Sequence, residues 1–127
     1  MKLAHLAIWV EDLEKMKEFY CHYFDLIPGE KYHNPNKNFT SYFLSFESGA
    51  QIELMQKPEI HSSQNRNYSF GFAHIAISTG SKEQVLSLTE KLRTDGFQVT
   101  GEPRTTGDGY FESVVLDPEG NAIEITI

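Results

Sequence analysis

A chain of 127 residues, 39% apolar and 13% aromatic, is long enough for one domain that buries about two-thirds of its unfolded surface, and its composition does not indicate disorder. A formal charge of −7 with no basic patch excludes a nucleic-acid backbone as partner, because that affinity comes from clustered Lys and Arg. No stretch approaches the ~20 apolar residues of a membrane helix, the single Cys21 cannot build a disulfide framework, and no basic and apolar leader precedes the first strand-like pattern. A soluble cytoplasmic protein without membrane partners is expected.

Residues 3–10 are almost continuously apolar and predict a buried strand that ends at Glu11-Asp12. Asp12 suits a helix N-cap, after which Leu13, Met16, Phe19 or Tyr20, and Tyr23 recur at helical spacing up to about Asp25. Cys21 lies on this helix and reads as a small, semi-buried residue. Pro28-Gly29 ends the helix, a short strand is expected near Glu30 to His33, and the polar run Asn34 to Asn38 reads as a loop. Thr40 to Phe46 and Gln51 to Met55 then predict a hairpin around Glu47-Ser48-Gly49-Ala50.

A polar linker, residues 57–71, separates this first module (1–56) from a second (72–127) that repeats its order within one domain, 1–127. Phe72 to Ser78 predicts a strand, Ser81-Lys82-Glu83-Gln84 a capping box, and Val85, Leu88 and Leu92 a helical stripe that ends near Gly96. Phe97 to Thr100 predicts a short strand, Thr105 to Gly109 a loop, and Tyr110 to Leu116 with Asn121 to Ile127 a second hairpin turned at Asp117-Pro118-Glu119-Gly120. The fold class expected is α+β: two tandem βαβββ modules forming a curved mixed sheet with helices on its outer face.

The repeat extends to individual side chains. Leu3-Ala4-His5-Leu6-Ala7-Ile8 matches Phe72-Ala73-His74-Ile75-Ala76-Ile77, and Gly49-Ala50-Gln51-Ile52-Glu53-Leu54 matches Gly120-Asn121-Ala122-Ile123-Glu124-Ile125. Side chains alternate along a strand, and in all four segments aliphatic residues flank the polar one. The aliphatics therefore pack under the helices, and His5, Glu53, His74 and Glu124 project from the opposite face. Any one of them alone would read as a satisfied core histidine or a solvated edge glutamate. A glutamate inside Ala-Ile-Glu-Ile-Thr-Ile, however, loses solvation worth several kcal/mol unless it has a partner, and the placement recurs in register.

Two imidazoles and two carboxylates form a mixed nitrogen and oxygen donor set suited to Ni²⁺, Co²⁺, Zn²⁺, Fe²⁺ or Mn²⁺. An octahedral ion held by four protein donors keeps two open positions, so a catalytic divalent metal is expected, with a carboxylate at its edge removing a proton next to a polarised carbonyl. Trp9 lies on the face of His5 by alternation; Arg66 and Arg104, in predicted loops, could supply a cation, though exposed arginines usually serve as solvated surface residues. Tyr110 or Phe111, next to the glycine-rich loop, would contact a substrate, which gives Trp9, Arg104 and Tyr110 as candidate pocket residues. His22, His33 and His61 have no partners at ligand spacing and read as surface histidines.

The duplicated module, the two Ala-His-[Leu/Ile]-Ala-Ile strands and the ending Leu116-Asp117-Pro118-Glu119-Gly120-Asn121-Ala122-Ile123-Glu124 resemble the vicinal oxygen chelate superfamily, also called the glyoxalase/bleomycin-resistance fold. Within it the order His, Glu, His, Glu is similar to glyoxalase I, a lactoylglutathione lyase. The resemblance implies His5, Glu53, His74 and Glu124 as metal ligands, Glu124 as main catalytic base, and Glu53 as the group that assists reprotonation through an enediolate. It also implies a small-molecule substrate such as the thiol adduct of a 2-oxoaldehyde. A homodimer is implied too, whose sites could each draw His5 and Glu53 from one chain and His74 and Glu124 from the other. The compact length resembles the bacterial nickel- or cobalt-activated enzymes. One departure is clear: Trp9 stands where those enzymes carry an arginine that helps hold a glutathione carboxylate. Ring-cleaving dioxygenases, epimerases, thiol transferases and drug-binding resistance proteins share the fold, but the first and third resemble three-ligand sites, the epimerase carries glutamine at the place of Glu53, and a binder needs no ligands.

Overall fold

Each half of the repeat folds into its own layer of helix on sheet. The computed structural model describes residues 2–61, 70–107 and 109–127, divided into two compact units, Met1–Ser62 and Ser63–Ile127. Arg66, the centre of the expected linker and Asp108 lie outside the described residues.

In the first unit, β1 (His5–Trp9) leads into α1 (Leu13–Phe24). Asp12 caps that helix by accepting the Lys15 amide at 3.0 Å. Leu13, Met16 and Tyr20 fall at i, i+3 and i+7 with Phe19 beside them, and all four are buried, so one stripe faces the sheet. The helix stops at Asp25, which takes the left-handed conformation (φ 54°) that a short polar side chain tolerates. β2 (Ile27–Pro28), β3 (Tyr32–Asn34), a 3₁₀ turn (Pro35–Lys37), β4 (Phe39–Ser45) and β5 (Gln51–Gln56) follow. The strands lie in the order β1-β5-β4-β2 with β3 also on β4; β1 runs parallel to β5 and the other pairs are antiparallel.

The second unit repeats the scheme with β6 (Ile75–Ser78), α2 (Lys82–Thr94), β7 (Val99–Thr105), β8 (Phe111–Leu116) and β9 (Ala122–Thr126), ordered β6-β9-β8-β7, again with only the first pair parallel. Ser81 accepts the Gln84 amide at 3.2 Å at the start of α2. At its end Gly96 turns the chain at φ 91°, its amide donating to Arg93 while the Phe97 amide donates to Leu92, the paired bonds of a Schellman motif.

Burial follows the alternation. On β5 Ile52 and Leu54 are buried beneath α1 while Glu53 and Met55 are not; on β9 Ile123 and Ile125 are buried beneath α2 while Glu124 is not. Fully burying one such aliphatic side chain stabilises the fold by about 1.5–3 kcal/mol, so a one-residue register slip would be costly and the orientation of each glutamate is fixed by its neighbours. No described helix is long and apolar enough to cross a membrane.

Several boundaries differ from the sequence reading. The strand expected near Glu30 to His33 is β3, which begins at Tyr32 and runs to Asn34; a separate short strand, β2, precedes it and includes Pro28, and the loop over Asn34 to Asn38 contains the 3₁₀ turn, capped by Asn34. β7 runs to Thr105, well beyond Thr100, so Arg104 sits in a strand and not in a loop. Gly101 and Pro103 conceal that strand in the sequence; they are tolerated because β7 is an edge strand with register shifts around Gly101. β6 begins at Ile75, one residue after His74. In α2 the buried stripe is Val85, Thr89 and Leu92, with Leu88 half-buried.

Candidate functional site

Strand register brings one histidine to one glutamate in each unit. Ala7 pairs with Glu53 in the parallel β1–β5 ladder, and Ala76 pairs with Glu124 in the β6–β9 ladder, so each histidine lies two residues before the partner of its glutamate. As diagonal cross-strand neighbours on one face they are within reach of each other. His5 Nε2 stands 3.7 Å from Glu53 Oε2, and His74 Nε2 stands 3.2 Å from Glu124 Oε2. Both glutamates are largely covered, at 15% and 20% side-chain exposure, while the imidazoles are about half exposed. Each module thus holds a carboxylate in its sheet with an imidazole at its lip.

The chemistry of these donors fits a divalent ion in halves. Two N or O ligands bound at about 2.1 Å in neighbouring positions are roughly 3.0–3.4 Å apart, which the second pair already meets and the first approaches. One pair supplies only two donors, and among the described residues no group of three or more His, Cys, Asp or Glu side chains is gathered.

The rest of each face differs between modules. In module 1 Phe43, which pairs with Glu53 across β4–β5, meets the His5 ring edge-on at 5.4 Å between centroids. Trp9 is half-buried on the same face and packs edge-to-face with Phe39 at 6.2 Å; Tyr32 lies 6.1 Å from Phe39. Gln51 donates to Ser45 Oγ at 2.8 Å. In module 2 Val114 pairs with Glu124 and Glu112 with Thr126, which puts Glu112 on the face of Glu124. Glu112, at 12% side-chain exposure, accepts a bond from Arg104 Nη2 at 3.3 Å. Gly101 makes room for that arginine: a Cβ there would lie 3.1 Å from Arg104 Nη1 and 3.0 Å from Val114 Cγ2.

Of the pocket residues expected from sequence, Trp9 stands on the His5 face, and Arg104 stands on the Glu124 side but is tied to Glu112. Tyr110 is exposed beside the β7–β8 hairpin, where its amide donates to Thr106 Oγ1 and its carbonyl accepts the Thr106 amide. Phe43, Phe39 and Glu112 escaped the sequence reading, because only the cross-strand register shows which face they share. Cys21 is half-buried as expected, and burial pushes its thiol pKa up, against a smaller opposing effect of Lys17.

The far side of the module 1 sheet carries a separate charge cluster. Tyr42 donates to Glu14 at 3.1 Å, Lys31 donates to the same carboxylate at 2.8 Å, and Lys17 is also bound to it. Lys17 and then Lys31 hold the Glu14 carboxyl down at about 2, against a small opposing effect of burial. Tyr42 is thereby fixed on the helix side, which confirms that its neighbour Phe43 faces His5.

Comparison with known proteins agrees with this architecture. The family model for the glyoxalase/bleomycin resistance protein/dioxygenase superfamily matches residues 2–125. The chain is 29% identical over 126 residues to a protein of Synechocystis sp. named probable lactoylglutathione lyase, covering 98% of this chain and 94% of that one. It is 27% identical over 128 residues to the lactoylglutathione lyase of Haemophilus influenzae, covering 98% and 90%. Among solved structures, glyoxalase I from Zea mays superposes with a TM-score of 0.80 at 24% identity, over 98% of this chain, which spans only 44% of the maize chain. A glyoxalase/bleomycin resistance protein/dioxygenase domain from Frankia sp. superposes with a TM-score of 0.85 at 16% identity; both likenesses concern the fold. With the family model covering nearly the whole chain and the duplicated module in place, the protein belongs to the glyoxalase/bleomycin resistance protein/dioxygenase superfamily.

Proposed function

We propose that this chain is a divalent-metal-dependent lyase or isomerase of the glyoxalase I type, acting on a small 2-oxoaldehyde adduct by proton transfer between neighbouring carbons. The observation that carries the reading is the register equivalence of the two His–Glu pairs, Ala7 opposite Glu53 and Ala76 opposite Glu124, each pair on the face away from its helix. His5, Glu53, His74 and Glu124 would hold Ni²⁺, Co²⁺ or Zn²⁺, and Fe²⁺ or Mn²⁺ also suits the donor set. The bound ion supplies Lewis acidity to a carbonyl or hydroxyl oxygen.

The chain's own residues carry the proton. The Glu124 carboxylate takes it from the carbon next to the carbonyl, leaving an enediolate, and Glu53 assists its return to the adjacent carbon. Both carboxylates are largely withdrawn from water, which favours transfer to substrate over exchange with solvent. Phe43, edge-on to His5, limits the rotation of that imidazole. A pair in each module favours this reading over the three-ligand dioxygenases and thiol transferases, to which Glu53 would be surplus. Modules 1–56 and 72–127 form one functional domain in this reading, and the protein works in the cytoplasm as a homodimer, the two pairs of each site coming from one chain or from two. The test is turnover of methylglyoxal with a panel of thiols by the metal-loaded protein: Glu124→Gln lowers kcat by about 10²–10⁴, the range of a general base. Unchanged turnover in that variant rules the reading out.

A further inference from the structure

We infer that the module 1 face carries a subsite for a planar apolar group of the substrate that bears no negative charge, formed by Trp9, Phe39 and Tyr32 beside the His5–Glu53 pair. The inference rests on the function proposed above and specifies the substrate class that this half of the site accepts. One step of two residues from the Ala7–Glu53–Phe43 row leads to a second row across the sheet, Trp9–Met55–Ser41–Tyr32, each residue paired with the next. Ser41, small and buried, lies at the centre of that row. Trp9 and Phe39 meet edge-to-face at 6.2 Å, and Phe39 and Tyr32 lie 6.1 Å apart, so the three rings form one continuous surface. Tyr32 is 53% exposed and the other two are partly exposed, so ring area remains available for a ligand.

Charge selects what that surface takes. Register assigns no Lys or Arg to this face of β1, β3, β4 or β5; besides His5 and Glu53, its one ionisable group is the Tyr32 phenol. A ligand carboxylate withdrawn from water there would lack a compensating charge, at a cost of several kcal/mol. A planar uncharged group instead gains offset or edge-to-face contact with the rings. The substrate body that fits is aromatic or conjugated, in place of a carboxylate-bearing peptide thiol.

Trp9 is the single tryptophan, so its fluorescence reports the subsite directly. Titration of the ion-free protein with 2-(benzylthio)ethanol, S-methylglutathione and (benzylthio)acetate tests the inference. The expected result is saturable quenching by the neutral thioether, with a Kd at least ten-fold below those of both charged ligands, and about ten-fold weaker binding in Tyr32→Ala or Phe39→Ala at unchanged far-ultraviolet circular dichroism. Equal or tighter binding of either charged ligand overturns it, as does an affinity that neither variant alters. Because the titration needs neither ion nor turnover, it can fail while metal-dependent catalysis stands, and catalysis can fail while it stands.

Discussion

Arg104 Nη2 donates to Glu112 Oε1 across 3.3 Å, on the same face of the module 2 sheet as Glu124. Glu112 and Glu124 are diagonal neighbours across β8 and β9, a spacing of about 7–8 Å, so the arginine is held close to the proposed base with its charge already compensated. Glu112→Gln keeps the shape and removes that compensation. Affinity for S-methylglutathione, measured calorimetrically, should then rise several-fold while that for a neutral thioether stays within about two-fold; an unchanged or lower affinity for the anion would show that Arg104 does not face the ligand.

Thr89 is a polar residue inside the α2 stripe. Its hydroxyl donates to the Val85 carbonyl at 2.6 Å, which leaves the Ser113 hydroxyl, 2.6 Å away and fully buried, to donate to Thr89 Oγ1. Thr89→Val preserves volume but removes the acceptor of Ser113, and a buried hydroxyl left without its partner costs about 1–3 kcal/mol. Urea unfolding should show that loss, and Thr89→Val with Ser113→Ala should recover part of it. Simple additivity of the two substitutions would contradict the coupling.

Asp117 anchors the hairpin that delivers Glu124. Nearly buried, its Oδ1 accepts the amides of Glu119 at 3.0 Å and Asn121 at 2.8 Å, and its Oδ2 accepts Asn121 Nδ2 at 2.7 Å. Asp117→Ala should cost about 1.5–3 kcal/mol, the range for hydrogen bonds to a charged group, and Asp117→Asn less. Denaturation midpoints check the order; a smaller loss in the alanine variant would contradict it.

How legible this was from sequence differs by feature. Ile52 and Leu54 around Glu53, and Ile123 and Ile125 around Glu124, announce both the strands and the direction of the polar residue between them, because period-two alternation is a local property. Asp12 and Ser81 announce the helix starts for the same reason. Cross-strand register is not local. That Phe43 meets His5, that Glu112 shares a face with Glu124, and that Trp9, Ser41 and Tyr32 form one row all depend on ladders between distant segments. β7 was half hidden because Gly101 and Pro103 read as breakers, and Thr89 because a hydroxyl was not expected where its partner, Ser113, lies 24 residues away.

The Glu14 cluster gives a pH dependence with a definite sign. Its folded-state carboxyl is lowered from 4.5 to about 2, so its stabilising contribution is full above pH 4.5 and is lost as pH falls toward 2. The cluster is solvent-exposed, so the effect is small. Urea midpoints of the unsubstituted protein and Glu14→Gln should differ at pH 7 and converge as pH falls from 4.5 toward 2. A difference that grows on acidification would reverse the sign.

In the function proposed above, the two His–Glu pairs are halves of one metal site. Calorimetric titration with Ni²⁺ tests it most directly, comparing the unsubstituted protein with His5→Ala and His74→Ala, one from each module, and with His33→Ala as a control whose side chain contacts Thr40. One ion per chain at micromolar affinity or tighter is expected, with a loss of at least ten-fold in each of the first two variants and no change in the control. Two ions per chain, or an affinity that survives removal of either His5 or His74, would contradict it.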